Sequence, residues 1–576
     1  MEDSTPLLSQ PNSDNSESTN PPPPEKHHSS LDSTIERYIG DFGWAQFLQA
    51  LLVSSAWIFD AQQTFITVFT DANPTWHCTS DQLNCNSVSN ICNLPNNSWA
   101  WDLPAYTSII SEWTLECSHS IITGLPASSF FVGCLVGGIV LATLADSSLG
   151  RKNMLFLSCL TMSLSSLFTV FSTNIWVYSA LKLVCGFCRS TIGTSALVLT
   201  AELVGKRWRG QVGVTGFLCF TIGFLSLPAT AYLNRLHCLS RGHLISKCCV
   251  ACCPRGLSNA LSISSSCTTC CGLISLVDFL RGTGGTEATG EGEEGIGSRT
   301  GTCIGLEEGV WEEVYFFVCE SPRWLFLHGR KEEAVATLRR IAPPSHSSYL
   351  TLSFSEVSFE QETWNNGNVY STIKMLVQKR WAFRRLLLVM VIAFGIGMVY
   401  YGMPLGLGNL SFNLYLSVTF NALAEIPSSL FTILLISKLN RKISVLAFTM
   451  ISGIFSVICA LKGQLWTRFQ IGLEIISFFS ACTACNVLLI FTIELFPTCV
   501  RNSATSMVRQ AIVFGGVFSP MLLAAESKDG ISSYVVFGLV IGCCRLFAVC
   551  LPETRGRALF DKMDEEEHKE KQPAMV

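Results

Sequence analysis

The feature that most constrains this sequence is the recurrence of apolar runs long enough to cross a lipid bilayer, which takes a helix of about 20 residues. One set stands near residues 45–69, 121–145, 154–173, 175–200 and 211–233. A second stands near 386–406, 411–437, 443–461, 471–493, 503–524 and 534–551. In hydrocarbon, backbone N–H and C=O groups must pair within their own segment, so each run is expected to be an α-helix. Only 14% of the 576 residues are charged, against about 25% in soluble domains, which excludes a string of soluble domains. A net charge of -4 gives no footprint for nucleic acid, and no nucleic-acid partner is expected. The expectation is an all-α polytopic protein with the lipid bilayer as solvent.

Charge in the loops sets the direction of the spans. Asp71 to Ser120 contains no Lys or Arg, whereas Arg151 and Lys152 follow the second span and Lys206, Arg207 and Arg209 follow the fourth. Lys438, Arg441 and Lys442 repeat the pattern between the eighth and ninth spans, with one crossing counted inside 236–318. By the positive-inside rule both termini face the cytosol and the loop 70–120 faces outward. Residues 1–43 and 557–576 read as polar cytosolic tails, the first disordered and without the pattern of a signal peptide. Asp3-Ser4-Thr5-Pro6-Leu7-Leu8 fits an acidic dileucine sorting signal, which tilts the compartment towards the vacuolar membrane over the plasma membrane.

The outer loop carries Cys78, Cys85, Cys92 and Cys117. An even number of cysteines on the oxidising side is expected to form two disulfides, and all three pairings stay open. Asn96-Asn97-Ser98 adds a glycosylation sequon at Asn96 on the same side.

Residues 236–318 break the pattern. A sixth crossing is required there, yet its best candidate, Leu257 to Leu280, is diluted by serine, threonine and Asp278. The run from Arg281 to Val310 is rich in glycine and glutamate and reads as disordered. Nine of the 26 cysteines fall here, and Cys249, Cys252, Cys267 and Cys270 approach zinc-ribbon spacing. No strand or turn framework accompanies them, so no metal and no cofactor is expected. The sixth helix is read as atypical or disrupted, through retained intron or altered splicing.

Several motifs then point to one family. Leu144-Ala145-Asp146-Ser147-Ser148-Leu149-Gly150-Arg151-Lys152 sets an acid, a turn glycine and a basic pair in a short loop, and Leu439-Asn440-Arg441-Lys442 echoes it in the second half. Acid–base clusters close other helices: Glu202 to Arg209, Glu320-Ser321-Pro322-Arg323, Glu494 to Arg501, and Pro552-Glu553-Thr554-Arg555-Gly556. Together with Ser111-Glu112-Trp113, Cys117 and Ile58-Phe59-Asp60-Ala61-Gln62-Gln63-Thr64-Phe65, these resemble the organic cation/carnitine transporter family, plant branch, of the major facilitator superfamily. The departure is Ser147, where a basic residue is common in the superfamily. The resemblance implies two six-helix halves, 44–235 with span 6 and 386–556, joined by a cytosolic loop over 319–385. It also implies alternating access, with Asp146, Gly150, Arg151, Lys152, Glu202, Arg209, Glu320, Arg323, Glu494, Arg501, Glu553 and Arg555 as gating groups.

Ionisable residues inside a membrane are costly and are functional candidates by default. Asp60 lies midway along the first span and Arg189 midway along the fourth. The fold implied by the resemblance makes these helices neighbours, so the two read either as a proton-coupling pair or as a fixed structural one. Glu425, two residues before Pro427 in the eighth span, is the expected cation-attracting residue, because cation-transporting relatives tend to carry an acid there. Animal relatives often carry an aspartate in the eleventh span where this chain has Val513, with Arg509 one turn earlier. Arg509 therefore reads either as the partner of a carboxylate on a zwitterion or as a contact to lipid headgroups. Tyr400 and Tyr401 are candidates for cation–π contact.

The expected function is a secondary transporter, not an enzyme, moving a small organic cation or zwitterion such as carnitine, coupled to protons. Two alternatives stand beside it: a sugar or organic-anion carrier of the same superfamily, and a membrane protein that does not transport because its sixth span is disrupted.

Overall fold

A computed structural model describes residues 42–79, 91–95, 98–144, 149–205, 207–240, 317–342, 369–410, 412–461, 467–529 and 532–555, with Ile35, Ile39 and Tyr315. The architecture is a helical bundle. The first span is built from three helices in succession, α1 (Trp44–Ser54), α2 (Ala56–Phe65) and α3 (Thr67–Thr70), whose junctions at Ser55 and Ile66 keep helical angles. Then come α4 (Ile109–Glu112), α5 (Ser120–Leu144), α6 (Arg151–Phe168), α7 (Ile175–Glu202) and α8 (Arg209–Ser240). Between the halves lie α9 (Pro322–Leu327), α10 (Lys331–Ile341) and α11 (Val369–Gln378). The second half holds α12 (Arg380–Leu405), α13 (Leu414–Lys438), α14 (Arg441–Cys459), α15 (Thr467–Leu495), α16 (Thr498–Asp529) and α17 (Ser533–Cys544). Nine of the described helices are long and apolar enough by themselves to cross a membrane. All eleven apolar runs read from the sequence coincide with helices, which makes this a multi-pass membrane protein.

Local chemistry explains where several helices begin. The side chain of Asn174 accepts from the Val177 N–H at the start of α7, and that of Asn413 accepts from the N–H groups of Tyr415 and Leu416 at the start of α13. Each satisfies amide donors that the first turn leaves without partners. Gly150, at φ 85°, turns the chain into α6 in a conformation that glycine adopts without strain.

Packing repeats between the halves. Helix α5 lies on α7 and α6 on α7, as α13 lies on α15 and α14 on α15; α2 on α8 is matched by α12 on α16. Small residues set the closest approaches. A Cβ at Gly133 would stand 2.0 Å from the Leu183 carbonyl oxygen, and one at Gly186 1.9 Å from that of Phe130. In a membrane, where burial from water does not drive helices together, such backbone contact holds them. Leu157, Trp176, Leu430, Leu434 and Phe469 are exposed on the outside of the bundle, where lipid replaces water.

The halves meet along two seams, α5 against α16 and α8 against α13. One end of the bundle carries the basic loops and the other the disulfide loop; we call them the basic end and the disulfide end. At the disulfide end, β1 (Trp76–Cys78) pairs antiparallel with β2 (Trp99–Trp101), with His77 opposite Ala100. Cys92 bonds Cys117, Cys78 is also in a disulfide, and Cys85 and Asn96 lie outside the described residues. Tyr415 of α13 stacks on Phe69 of α3 at 5.6 Å and meets Tyr232 of α8 at 5.7 Å. These aromatics close that end between the halves.

One expectation needs correcting. The end of the N-terminal tail is not a free polar segment: Ile35 and Ile39, four residues apart on one helical face, are buried against Trp324, Leu325, Phe326, Ala334 and Leu338 of α9 and α10. The tail supplies the apolar cover these two short amphipathic helices lack. Residues 241–314, where the sixth crossing was expected, lie outside the described residues.

Because Gly186 admits no Cβ, Gly186→Leu is expected to cost about 3 kcal/mol or more through overpacking and to abolish the monodisperse peak in detergent size-exclusion chromatography. Gly472→Leu, at a position with nothing within 4 Å of a Cβ, should preserve that peak.

Candidate functional site

Charged and hydroxylated side chains gather where the two halves face each other. On the first half, Asp60 of α2 and Arg189 of α7 form a bidentate pair: Nε donates to Oδ1 at 2.5 Å and Nη2 to Oδ2 at 3.3 Å. Asp60 is 4% exposed, so its negative charge is held by the guanidinium rather than by water. Arg189 also donates from Nη1 to the Cys134 sulfur at 3.7 Å and lies over the Phe130 ring. The sequence-predicted pair is therefore a direct contact.

The second half presents Tyr400 and Tyr401 on α12, Glu425 on α13 and Arg509 on α16. Glu425 accepts a hydrogen bond from the Tyr400 hydroxyl at 2.8 Å, and Thr221 of α8 donates to its other oxygen at 3.5 Å across the seam. No Lys or Arg pairs with Glu425 among the described residues. Tyr400 stacks on Phe478 of α15. Tyr401 turns the other way, its ring 4.7 Å from that of Phe131 and its hydroxyl beside Arg189.

Arg509 makes no hydrogen bond or ion pair among the described residues. It faces Cys485, Tyr401 and Asp60, an inward position rather than one among headgroups. Cys485 of α15 faces both Arg509 and Glu425. An anion with only hydroxyl partners and a guanidinium with none thus flank one thiol inside the bundle.

Phe65, a cation–π possibility by its type, stacks on Phe224 at 4.1 Å, and Trp57 packs on Gly193 and Gly216. Both serve helix packing. Among the described residues, three buried ionisable groups escaped the sequence reading, Lys182 of α7, Arg385 of α12 and Glu474 of α15, 1%, 8% and 0% exposed. The signal was the same as for Asp60, an ionisable residue inside an apolar run. Glu474 stands near the end of its run, where a charge passes for a loop residue.

At the basic end, the acid–base clusters form two matching sets. In the first half Arg151 lies 3.6 Å from Glu202, and both oxygens of Glu320 accept from the Lys152 N–H. In the second half Arg441 pairs with Glu494 at 3.0 Å, and Glu553 accepts from the N–H groups of Arg441 and Lys442. Each glutamate after the last span of its half, or after the place of that span, thereby caps the N-terminus of the third helix in that half, where a negative charge meets the positive end of the helix dipole. Burial raises the Glu320 carboxyl above its ordinary range against the pull of the Ser321 and Lys152 N–H groups. Arg501 donates to the Phe496 carbonyl oxygen and Arg555 to the Asn440 side chain. Arg209 and Arg323 also have partners, and Asp146 lies outside the described residues. Each of the bridges named here stays within one half; none spans the seam, so as a set they tie each half together.

Comparison with known proteins places this geometry. The family profile described as "Sugar (and other) transporter" matches residues 62–234 and 313–565, passing over most of the segment that breaks the apolar pattern. Organic cation/carnitine transporter 3 of Arabidopsis thaliana is 54% identical over 577 residues, spanning 99% of this chain and 98% of the relative. Organic cation/carnitine transporter 2 of the same plant is 51% identical over 94% of each chain. Solute carrier family 22 member 3 of the mouse is 24% identical over 85% of this chain and 78% of its own. Among solved structures, the proton:xylose symporter XylE bound to 6-bromo-6-deoxy-D-glucose superposes with a TM-score of 0.54 at 17% identity, covering 89% of this chain and 97% of XylE, which supports the fold alone. The chain therefore belongs to the plant organic cation/carnitine transporters and has the transporter fold of the major facilitator superfamily.

Proposed function

We propose that this chain is a carrier of small organic cations and of carnitine-like zwitterions, driven by protons and working by alternating access between its two halves. The observation that most supports it is the Glu425 and Arg509 arrangement. A quaternary ammonium meets the Glu425 carboxylate and the Tyr400 ring, and a carboxylate on the same molecule meets the unpartnered Arg509 fork. A sugar offers neither charge, so the sugar-carrier reading leaves both groups idle, and an organic anion uses Arg509 alone. Carrying a solute across requires no covalent chemistry, so the protein is read as a transporter and not as an enzyme.

Asp60 and Arg189 are assigned to proton coupling. Protonation of Asp60 removes the charge that holds Arg189, and the freed guanidinium then biases the seam where Tyr401 and Arg509 face it. The capped and bridged clusters at the basic end act in gating by keeping each half stiff, so that motion concentrates at the seams. Both termini and the basic loops are assigned to the cytosol and Asn96 to the outer side as a glycosylation site; the vacuolar membrane is favoured over the plasma membrane.

Three measurements test these roles. With carnitine as substrate in proteoliposomes, Asp60→Asn should retain exchange but lose about tenfold in accumulation per unit of pH gradient; unchanged accumulation removes Asp60 from coupling. Glu425→Gln should raise the Kd for choline and carnitine alike by about tenfold or more, the worth of a hydrogen bond to a charged group. Arg509→Gln should weaken carnitine by a similar factor and leave choline unchanged. If sugars or organic anions instead compete with carnitine in the unaltered protein, the substrate assignment falls.

A further inference from the structure

Glu474 of α15 is fully buried and has no part in the mechanism above. One oxygen, Oε2, accepts from the Asn421 side-chain amide of α13 at 2.8 Å. The other, Oε1, is buried with no partner, and so are the Asn421 side-chain carbonyl oxygen and the Ser417 hydroxyl. Two orphaned acceptors on two side chains already joined by a hydrogen bond lack one thing, a donor. A proton on Glu474 supplies it and removes the charge that burial penalises.

Among the described residues, no cation faces Glu474 from the helices around it. From α14 comes Cys459, from α17 Tyr534, and from α15 itself Cys482. Helix α13 offers Asn421 and Ser417, and Tyr400 of α12 is turned to Glu425 and Phe478. Arg509, the cation of α16 within the bundle, faces Cys485, about three turns nearer the basic end.

These neighbours also outline a route. Cys459 and Tyr534 lie within electrostatic reach of both Glu474 and Glu526, and Glu526 sits at the disulfide end of α16, accepting from Asn409 and Ser533. On the other side, Cys482 faces both Glu474 and Glu425. Asn421 lies about two turns below the start of α13, beneath the contact of Tyr415 with Phe69 and Tyr232 that closes the disulfide end. Parting the halves at that end lifts this aromatic cover and admits water to those turns.

We propose that Glu474 with Asn421 forms a proton-binding site in the second half, filled from the disulfide end and discharged towards Glu425, so that a second proton accompanies each cycle besides the one assigned to Asp60. On loading, a proton bonds to Oε1, which then donates to the Asn421 side-chain oxygen. On discharge that O–H bond breaks and the proton passes through admitted water to the Glu425 carboxylate. The proposal rests on the carrier reading.

The test uses the full-length protein in proteoliposomes with the membrane potential clamped and carnitine as substrate. Each accompanying proton multiplies equilibrium accumulation tenfold per unit of pH gradient. The unaltered protein should accumulate about a hundredfold per unit and Glu474→Gln about tenfold, with carnitine counterflow retained. A tenfold slope in the unaltered protein, or a slope unchanged in the variant, overturns the proposal and leaves the carrier reading standing. A second measurement needs neither the variant nor transport. A hydrophobic carbodiimide, which attacks only neutral carboxylic acids, should label Glu474 in the unaltered protein, found by peptide mass spectrometry, with labelling falling as pH rises. No adduct at any pH overturns the site. Absence of counterflow with both carnitine and choline in the unaltered protein defeats the carrier reading, while the labelling still decides the site.

Discussion

A carboxylate moved from water into a dry interior loses several kcal/mol of hydration even after the protein relaxes around it. Three acids within this bundle meet that cost in three ways. Asp60 has a bidentate guanidinium, Glu425 has two hydroxyls and no cation, and Glu474 has a single amide. The series runs from a charge paired with a guanidinium, through one held by hydroxyls alone, to one held by a single amide. Arg509 is the mirror of Glu425, an inward cation that makes no ion pair or hydrogen bond among the described residues. A site that must both hold and release a charged solute requires such incompleteness, because a charge fully satisfied by the protein has nothing to gain from a ligand.

The same contrast separates the basic end from the seams. Arg151 with Glu202, Arg441 with Glu494, and the caps by Glu320 and Glu553 are bonds within a half. Backbone-close glycines bind helices of one half to each other as well, as at Gly133 and Gly186, and Gly124 brings α5 close to the Pro520 backbone of α16 across a seam. Across the seams the contacts include aromatic edges and single hydroxyls, such as Tyr415 on Phe69 and Thr221 on Glu425, together with one backbone acceptor, the Val517 carbonyl that Ser128 reaches. Ion pairs and helix caps that, among the described residues, stay within each half favour rigid-body motion over bending of individual helices.

Much of this was legible in the sequence, for a physical reason. Hydrocarbon forces helices and makes each ionisable residue conspicuous, so the spans and the places of Asp60, Arg189 and Glu425 within them could be read from apolar runs and their interruptions, while the closeness of Asp60 and Arg189 was implied by the family resemblance. What stayed hidden depends on tertiary partners. The burial of Ile35 and Ile39 depends on two distant helices, and the pairing of Cys92 with Cys117 depends on how the outer loop folds. For Arg509, α16 could have turned its cation to lipid or inward, and the helical period alone does not choose. The charged clusters at the basic end carried a signature of charge but none of address, so the placing of their bridges inside each half could not be read from the sequence.

Charge accounting at the seam links substrate choice to coupling. Asp60 with Arg189 sums to zero, and Glu425 with Arg509 does so too; the five groups together are neutral when Glu474 carries a proton. A zwitterion adds no net charge, so the loaded seam stays neutral and can accept a proton at the cost of a single buried positive charge. A simple cation already adds one, and a proton bound beside it makes two, which a low-dielectric interior resists strongly. Proton-driven accumulation is therefore electrostatically easier for a carnitine-like molecule than for choline. For a simple cation, neutrality is kept only if a proton leaves as the cation arrives. On the proposed reading, Arg509, which suits the carboxylate of a zwitterion, and a protonated Glu474 thus favour the same cargo from separate positions in the fold.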